Sequence, residues 1–267
     1  MHSEAVQLDF WQIGLAASLI LINGLISLCL RLGLERRLLI ASSRTVVQLL
    51  LIGIVLEWIF DDQPWFVILA LMFVMTLIAA DSAARRAGHG YTGIWFDSIV
   101  SMWSSSWLIL AVALLAIVRP KVWFMPQYAI PILGMILGNT LNGISLGLDR
   151  LGEELTGKRD RVETLLALGA TRWEAAREPI RQAMRTGMIP VINSMMVVGL
   201  VSLPGMMTGQ ILAGAEPFQA VMYQIVIMFL IAAGTSTGAT TAVLLAYHRL
   251  FNHDHQFLAA RLTDRSH

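Results

Sequence analysis

The chain has 267 residues, 56% hydrophobic and 14% charged, with a net charge of +1 and a mean hydropathy of +0.67. Soluble domains carry about 25% charged residues, so the composition argues against a soluble enzyme and excludes a disordered chain or a coiled coil. An integral membrane protein remains: all-α, a polytopic helix bundle, with residues 1–267 read as a single transmembrane domain.

The opening MHSEAVQLDF is acidic and lacks Lys and Arg. A secretory signal starts basic, so no cleaved peptide is expected. A spanning helix takes about 20 apolar residues. Seven stretches approach this, at 13–30, 38–60, 65–80, 98–118, 128–148, 188–203 and 218–247. The third and sixth are short, and GTSTG at 234–238 interrupts the seventh. Cys29, the one cysteine, lies in the first run and has no internal disulfide partner.

Of 17 Arg and two Lys, 16 fall in connections on one side. They are Arg31, Arg36 and Arg37, then Arg85 and Arg86, then eight between Arg150 and Arg185, then Arg249, Arg261 and Arg265. The other side has only Arg119 and Lys121, with the acids Asp61, Asp62 and Glu216, while Arg44 lies inside a span. Excess positive charge marks the cytoplasmic face. The expectation is therefore an N-terminus outside, a C-terminus in the cytoplasm and about seven transmembrane helices. Six spans, with one run lying in the interface, would put the tail on the wrong side.

Residues 149–185 form the only long hydrophilic segment, too small for a catalytic domain. Leu148, Leu151 and Leu155 continue the fifth span's apolar stripe, and Val162, Leu165, Leu166 and Leu168 form a second one at helical spacing. Gly169 interrupts it, and Trp173 and Ala176 resume it. Two short helices joined at a glycine suit docking on a soluble partner, and equally a connector on the membrane surface. Gly152, Gly157 and Lys158 have P-loop spacing. Arg159 stands where Ser or Thr must hold Mg²⁺, Glu153 and Glu154 repel phosphate, and a helix precedes instead of a strand. No nucleotide site and no nucleic-acid partner are expected.

Polar groups inside spans normally face protein or water. Arg44 and Gln48 share one face of the second span; they read as path residues, or Arg44 snorkels to the interface. Glu57, near the outer end, allows the same two readings. Asn139 and Asn142 are three apart, with Met135 one turn before, offering oxygen and sulfur to a passing cation. Interhelical hydrogen bonding explains them equally, as it does Asn193 and Ser194. Pro204, Gly205, Met206, Met207 and Gln210 sit in a stretch that ends at Glu216–Pro217. It reads as a broken helix or re-entrant turn near the outer mouth, tolerated at membrane depth only if buried or lining a cavity. Its Met pair suits contact with a substrate or plain packing. GxxxG spacing pairs Gly134 with Gly138, Gly143 with Gly147, Gly205 with Gly209 and Gly234 with Gly238, for a dimer seam or internal packing. No Cys/His cluster has metal-ligand spacing, so metal ligands are unknown; His253, Asp254 and His255 read as a weak metal site or a solvated tail.

The run ETLLALGATRWEAARE at 163–178 resembles the cytoplasmic coupling loop of ABC-transporter permeases. The matching positions are Glu163, Leu168, Gly169, Ala170, Thr171 and Trp173. Importers of that class have alanines at Thr164 and Leu165 and a closing Leu-Pro where Arg181 and Gln182 stand. IPILGMILGN at 130–139, GLVSLPGMMTGQILAG at 199–214 and YQI at 223–225 are more specific. With the loop they resemble the Fet-type iron-export permeases of bacteria, relatives of the membrane subunit of plant aluminium-tolerance transporters. The resemblance implies a permease subunit in the bacterial inner membrane, exporting iron or another metal. It further implies a separate ATPase that binds ATP and Mg, a pair of permeases, and no cofactor or enzymatic site on this chain. The matching loop residues would seat in the ATPase. Arg44, Gln48, Met135, Asn139, Asn142, Asn193, Pro204, Gly205, Met206, Met207 and Gln210 are the candidates for the path. The rival readings are another cargo such as a nucleotide sugar, a secondary transporter driven by ion gradients, and a membrane enzyme.

Overall fold

In a computed structural model, residues 9–61, 63–120 and 125–264 are described; Asp62, Lys121 and Arg265 lie outside them. The chain runs through α1 (Phe10–Cys29), α2 (Glu35–Phe60), α3 (Trp65–Arg86), β1 (His89–Tyr91) and α4 (Ile94–Val112). A π-helical turn, Ala113–Val118, extends α4. Then follow α5 (Pro126–Gly157), α6 (Arg159–Ala167), α7 (Arg172–Val197), α8 (Gly205–Leu212), α9 (Pro217–Leu250) and β2 (Leu262–Asp264).

Two compact units are distinguished, one of residues 1–64 and 210–215, the other of 65–209 and 216–267. In the first, α1 and α2 form a hairpin. Its turn needs left-handed backbone at Arg31 and Gly33, and the Ser27 hydroxyl holds it, donating to Glu35 Oε2 at 2.9 Å and accepting from Leu34 N–H at 3.0 Å. Both helices are apolar over most of their length and almost wholly exposed, the pattern of surfaces solvated by lipid.

The second unit is built around α5. Ile130, Leu133, Ile136, Leu137, Ile144, Leu148, Leu151 and Leu155 of this helix are buried, and α3, α4, α7 and α9 pack around it. Small residues set the spacing. A Cβ on Gly187 of α7 would lie 2.6 Å from the Gly143 carbonyl oxygen, and one on Gly238 of α9 would lie 2.4 Å from Thr140 Cγ2. The pairs Gly143/Gly147 and Gly234/Gly238 are therefore consumed by packing within the chain. Nothing lies within 4 Å of the space a Cβ would take at Gly138, Gly205 or Gly209.

Among the described residues, six helices are long and apolar enough to cross a membrane: α1, α2, α3, α4 with its π turn, α5 and α9. The stretch expected at 188–203 differs. Its helical part is the end of α7, which begins far back at Arg172 and stops at Val197. The first half of that helix is charged, so its apolar end is too short to qualify. Nor do 234–238 interrupt α9, which is continuous from Pro217 to Leu250. Thr237 returns its hydroxyl to the Ala233 carbonyl at 2.7 Å, and the glycines face α5, so neither residue type breaks the helix.

At one end of this unit the termini of α3, α5 and α9 meet the starts of α4 and α7. Residues β1 and β2 pair antiparallel there, Gly90 opposite Thr263. Asp97, buried in the first turn of α4, accepts from Arg249 Nε at 2.6 Å and from the Tyr91 hydroxyl at 3.0 Å. Burial and the neighbouring Asp97 carboxylate push the Tyr91 phenol well above its ordinary range. Asp149 of α5 accepts from Gly88 N–H at 3.0 Å and faces His89 Nδ1 at 3.2 Å.

Candidate functional site

Two regions carry the candidate residues. The first is the turn between α6 and α7. Leu168 ends α6 in right-handed backbone, and Gly169 follows at φ +90°. Ala170 N–H donates to the Leu165 carbonyl and Gly169 N–H to that of Leu166, both at 3.0 Å. This is a Schellman stop, in which the left-handed position favours glycine. Thr171 then caps α7. Its hydroxyl accepts from Glu174 N–H at 3.3 Å, and the Glu174 carboxylate accepts from Thr171 N–H at 2.8 Å. The Thr171 N–H, and the Thr171 hydroxyl donating to the same carboxylate oxygen at 2.7 Å, hold the Glu174 carboxyl below its ordinary range. The Leu-Gly-Ala-Thr order thus spells stop, left-handed residue and start. It leaves Leu168 80% exposed at the tip and Trp173 47% exposed beside it. Glu163 lies on the exposed face of α6, paired with Arg159 Nε at 2.6 Å.

The turn is tied to the end of α9. Arg172 N–H donates to His255 Nδ1 at 3.1 Å, and its guanidinium donates to the Asn252 carbonyl at 3.2 Å. The Trp173 ring stands edge-on to Tyr247 at 5.7 Å. The false P-loop residues have structural work. Glu154, itself buried, takes Arg150 at 2.5 Å and also holds Lys158. Gly152 leaves room for His89, whose Cβ is 2.3 Å from where a Gly152 Cβ would be.

The second region is a cavity of about 380 Å³ among α5, α7, the start of α8 and α9. Met135, Asn139, Ser194, Met206, Gln224 and Met228 line it, with Pro204 and Gly205. An adjoining, more apolar cavity of about 560 Å³ is lined by Met195, Met207, Val221 and Phe229 and shares Pro204, Gln224 and Met228. The expected broken segment makes both possible: α7 stops at Val197, and α8 is only eight residues long. The chain between them is a tight turn, in which Val201 N–H donates to the Val197 carbonyl at 3.0 Å and Gly199 N–H to the Ser202 carbonyl at 2.9 Å, and it leaves Leu200 and Val201 more than 80% exposed.

Met135, Asn139, Pro204, Gly205 and Met206 are therefore brought together, with Met207 next door. Asn139 Nδ2 returns to the Met135 carbonyl at 2.9 Å, so only its oxygen is free for a ligand. Asn142 is outside the cavity and accepts from Arg86 Nη1 at 3.3 Å. Asn193 is exposed and lines neither cavity. Gln210 follows in α8 and is not among the lining residues. Arg44 and Gln48 are exposed on α2, in the other unit.

The Uncharacterised protein family UPF0014 matches residues 10–251. The chain belongs to this family. A UPF0014 membrane protein of Synechocystis is 40% identical over 97% of this chain and 99% of its own. The protein named probable iron export permease FetB of Escherichia coli is 32% identical, covering 94% of this chain and 95% of its own. Protein ALUMINUM SENSITIVE 3 of Arabidopsis thaliana is 32% identical, with coverage of 90% and 87%. No solved structure matches. This UPF0014 chain is thus a multi-pass membrane protein with a permease among its named relatives, as the resemblance implies. Several of its structural residues escape reading from sequence. Asp97 and Arg249 are 152 positions apart, and Gln224 hides in an apolar run whose YQI motif is its one signal. A lone amide inside a span was the physical cue.

Proposed function

We propose that this UPF0014 chain is the membrane subunit of an ATP-driven exporter of metal ions. Two copies pair, and each seats its α6–α7 turn in a separate ABC ATPase that binds ATP and Mg. The excess of Arg and Lys on one side supports a cytoplasmic location for that turn and the C-terminus. The observation that carries the reading is the turn itself, rigid by two interlocked caps and presenting apolar Leu168 and Trp173 to solvent. An exposed apolar knob on a charged segment is a docking element. Its ties to α9 through Arg172 and Trp173 give ATPase motion a route into a helix that lines the cavity. The cargo suggested by FetB is a metal. None of the cavity residues is basic, which leaves the phosphates of a nucleotide sugar without a partner.

The test is co-purification of the ATPase, with metal export followed in cells or vesicles. Gly169→Arg is expected to abolish both association and export while the permease stays in the membrane. Retention of both by that variant would overturn the coupling role. Export that survives ATP depletion would favour a secondary transporter.

A further inference from the structure

The pocket is open on one side, where Asn139 and Ser194 are exposed, and has Gln224 and Met228 as its buried floor. Met135 and Asn139 on α5, and Gln224 and Met228 on α9, are between seven and 13 residues from their helix starts. At about 1.5 Å per residue that is roughly 10–20 Å in, well within a hydrocarbon layer of about 30 Å.

Its chemistry is narrow. The lining residues of the two compartments include no Asp, Glu, His, Cys, Lys or Arg. Five of the chain's 14 methionines line them: Met135, Met195, Met206, Met207 and Met228. A core methionine elsewhere, Met102, is closed in by packing. These border open volume, about 380 Å³ in the polar compartment, where a water takes about 30 Å³. Gln224 is the polar anchor. It is 5% exposed, lines both compartments, and its carbonyl oxygen has no hydrogen-bond donor among the described residues. A buried acceptor without a donor is rare and asks for a partner.

Hard di- and trivalent ions take oxygen ligands, usually carboxylates, and the penalty for dehydrating an ion rises with the square of its charge. Thioethers select soft ions such as Cu(I). We infer that the cavity binds a soft, singly charged metal cation of the Cu(I) or Ag(I) kind through methionine thioethers and the Gln224 carbonyl oxygen. The inference builds on the proposed metal export by naming the class of cargo. The five methionines supply neutral sulfur donors, so the cation carries the only net charge in the site.

The test uses the purified full-length chain in lipid nanodiscs, in a Cys29→Ser background that removes the thiol. Ag(I), a redox-stable probe of this class, is titrated by isothermal calorimetry, and Fe(II) is titrated under anaerobic conditions. One Ag(I) per chain is expected, with affinity at least tenfold above that for Fe(II). Met206→Leu with Met228→Leu is expected to weaken Ag(I) at least tenfold, and Met102→Leu to leave it unchanged. Gln224→Leu tests the carbonyl and is expected to weaken Ag(I) several-fold. Circular dichroism and elution volume confirm that each variant folds. Equal Ag(I) binding by the double variant, or tighter Fe(II) than Ag(I), would overturn the inference. Binding of metal does not require the ATPase. If the chain associates with an ATPase that Fe(II) but not Ag(I) stimulates, the export reading stands and this inference fails. If Ag(I) binds as expected but no ATPase associates, the reverse holds.

Discussion

The main-chain N–H of Arg172 donates to the Nδ1 of His255 at 3.1 Å, bridging 83 positions. The bond joins the first residue of α7 to the segment that follows α9. With Arg172 on the Asn252 carbonyl and Trp173 against Tyr247, it makes the turn and the C-terminal segment one piece. His255→Phe removes the acceptor and keeps a planar ring. A neutral hydrogen bond contributes about 0.5–1.5 kcal/mol net, so docking of the segment should weaken roughly two- to thirteenfold. In the assembled transporter, cargo-stimulated ATPase activity should fall by a similar factor while ATPase binding persists. Unchanged stimulation would show that the segment does not transmit motion.

Gly169 and Gly187 separate two kinds of glycine requirement. Gly169 has φ +90° and open space beside it, so Gly169→Ala meets backbone strain alone, about 1–2 kcal/mol. Gly187→Ala meets the Gly143 carbonyl oxygen at 2.6 Å and is expected to cost about 1–3 kcal/mol through overpacking. Thermal unfolding in detergent should lower the melting point for both. ATPase association should fall for Gly169→Ala only.

The pair Asp97–Arg249 holds α4 to α9. Removing one partner of a fully buried pair costs about 3–5 kcal/mol. The Arg249 side chain is 38% exposed, and water there reduces the penalty, so Arg249→Met is expected to cost about 2–3 kcal/mol. Tyr91→Phe should cost about 1 kcal/mol. A double-mutant cycle of Asp97→Asn with Arg249→Met, read by chemical denaturation, should show coupling above about 1 kcal/mol; additive losses would refute the pairing.

Glu174 titrates below the ordinary glutamate range because Thr171 donates to its carboxylate. For an acid with a depressed value in the folded state, the stabilisation is present above the unfolded value. It is lost as pH falls through the folded one. The cap on α7 should therefore hold at neutral pH and fray below the ordinary glutamate range. Hydrogen-exchange protection factors at Arg172–Glu174, taken against intrinsic exchange at each pH, should fall on acidification in the wild type. Glu174→Gln should show low protection with little pH dependence.

Much of the fold was legible because apolar runs and charge excess report burial in lipid one segment at a time. The runs at 38–60, 65–80 and 218–247 fall within α2, α3 and α9. What escaped was chemistry shared between distant positions. Averaging over a window cut α7 in two, since its charged first half and apolar end form one helix. GTSTG looked like a break because a glycine's meaning depends on the helix opposite, here Ile136 and Thr140. In the candidate site, Met135, Asn139 and Met206 were visible as polar or soft groups in apolar surroundings. That they share a cavity with Gln224 depends on where α7 stops. The turn read most directly, because helix stop and start signals are local.

The central claim is that the α6–α7 turn seats in an ATPase. A single cysteine at Leu168, in a Cys29→Ser background, tests it most directly. Leu168 is 80% exposed at the tip, so a bifunctional thiol–amine cross-linker in intact membranes should join it to one ATPase polypeptide. The adduct should be identified by mass spectrometry, and its yield should change with ATP. A cysteine at Leu200, 88% exposed and on the opposite side by the charge reading, should give none. An ATPase adduct at Leu200 but not at Leu168, or none at either with export intact, would contradict it.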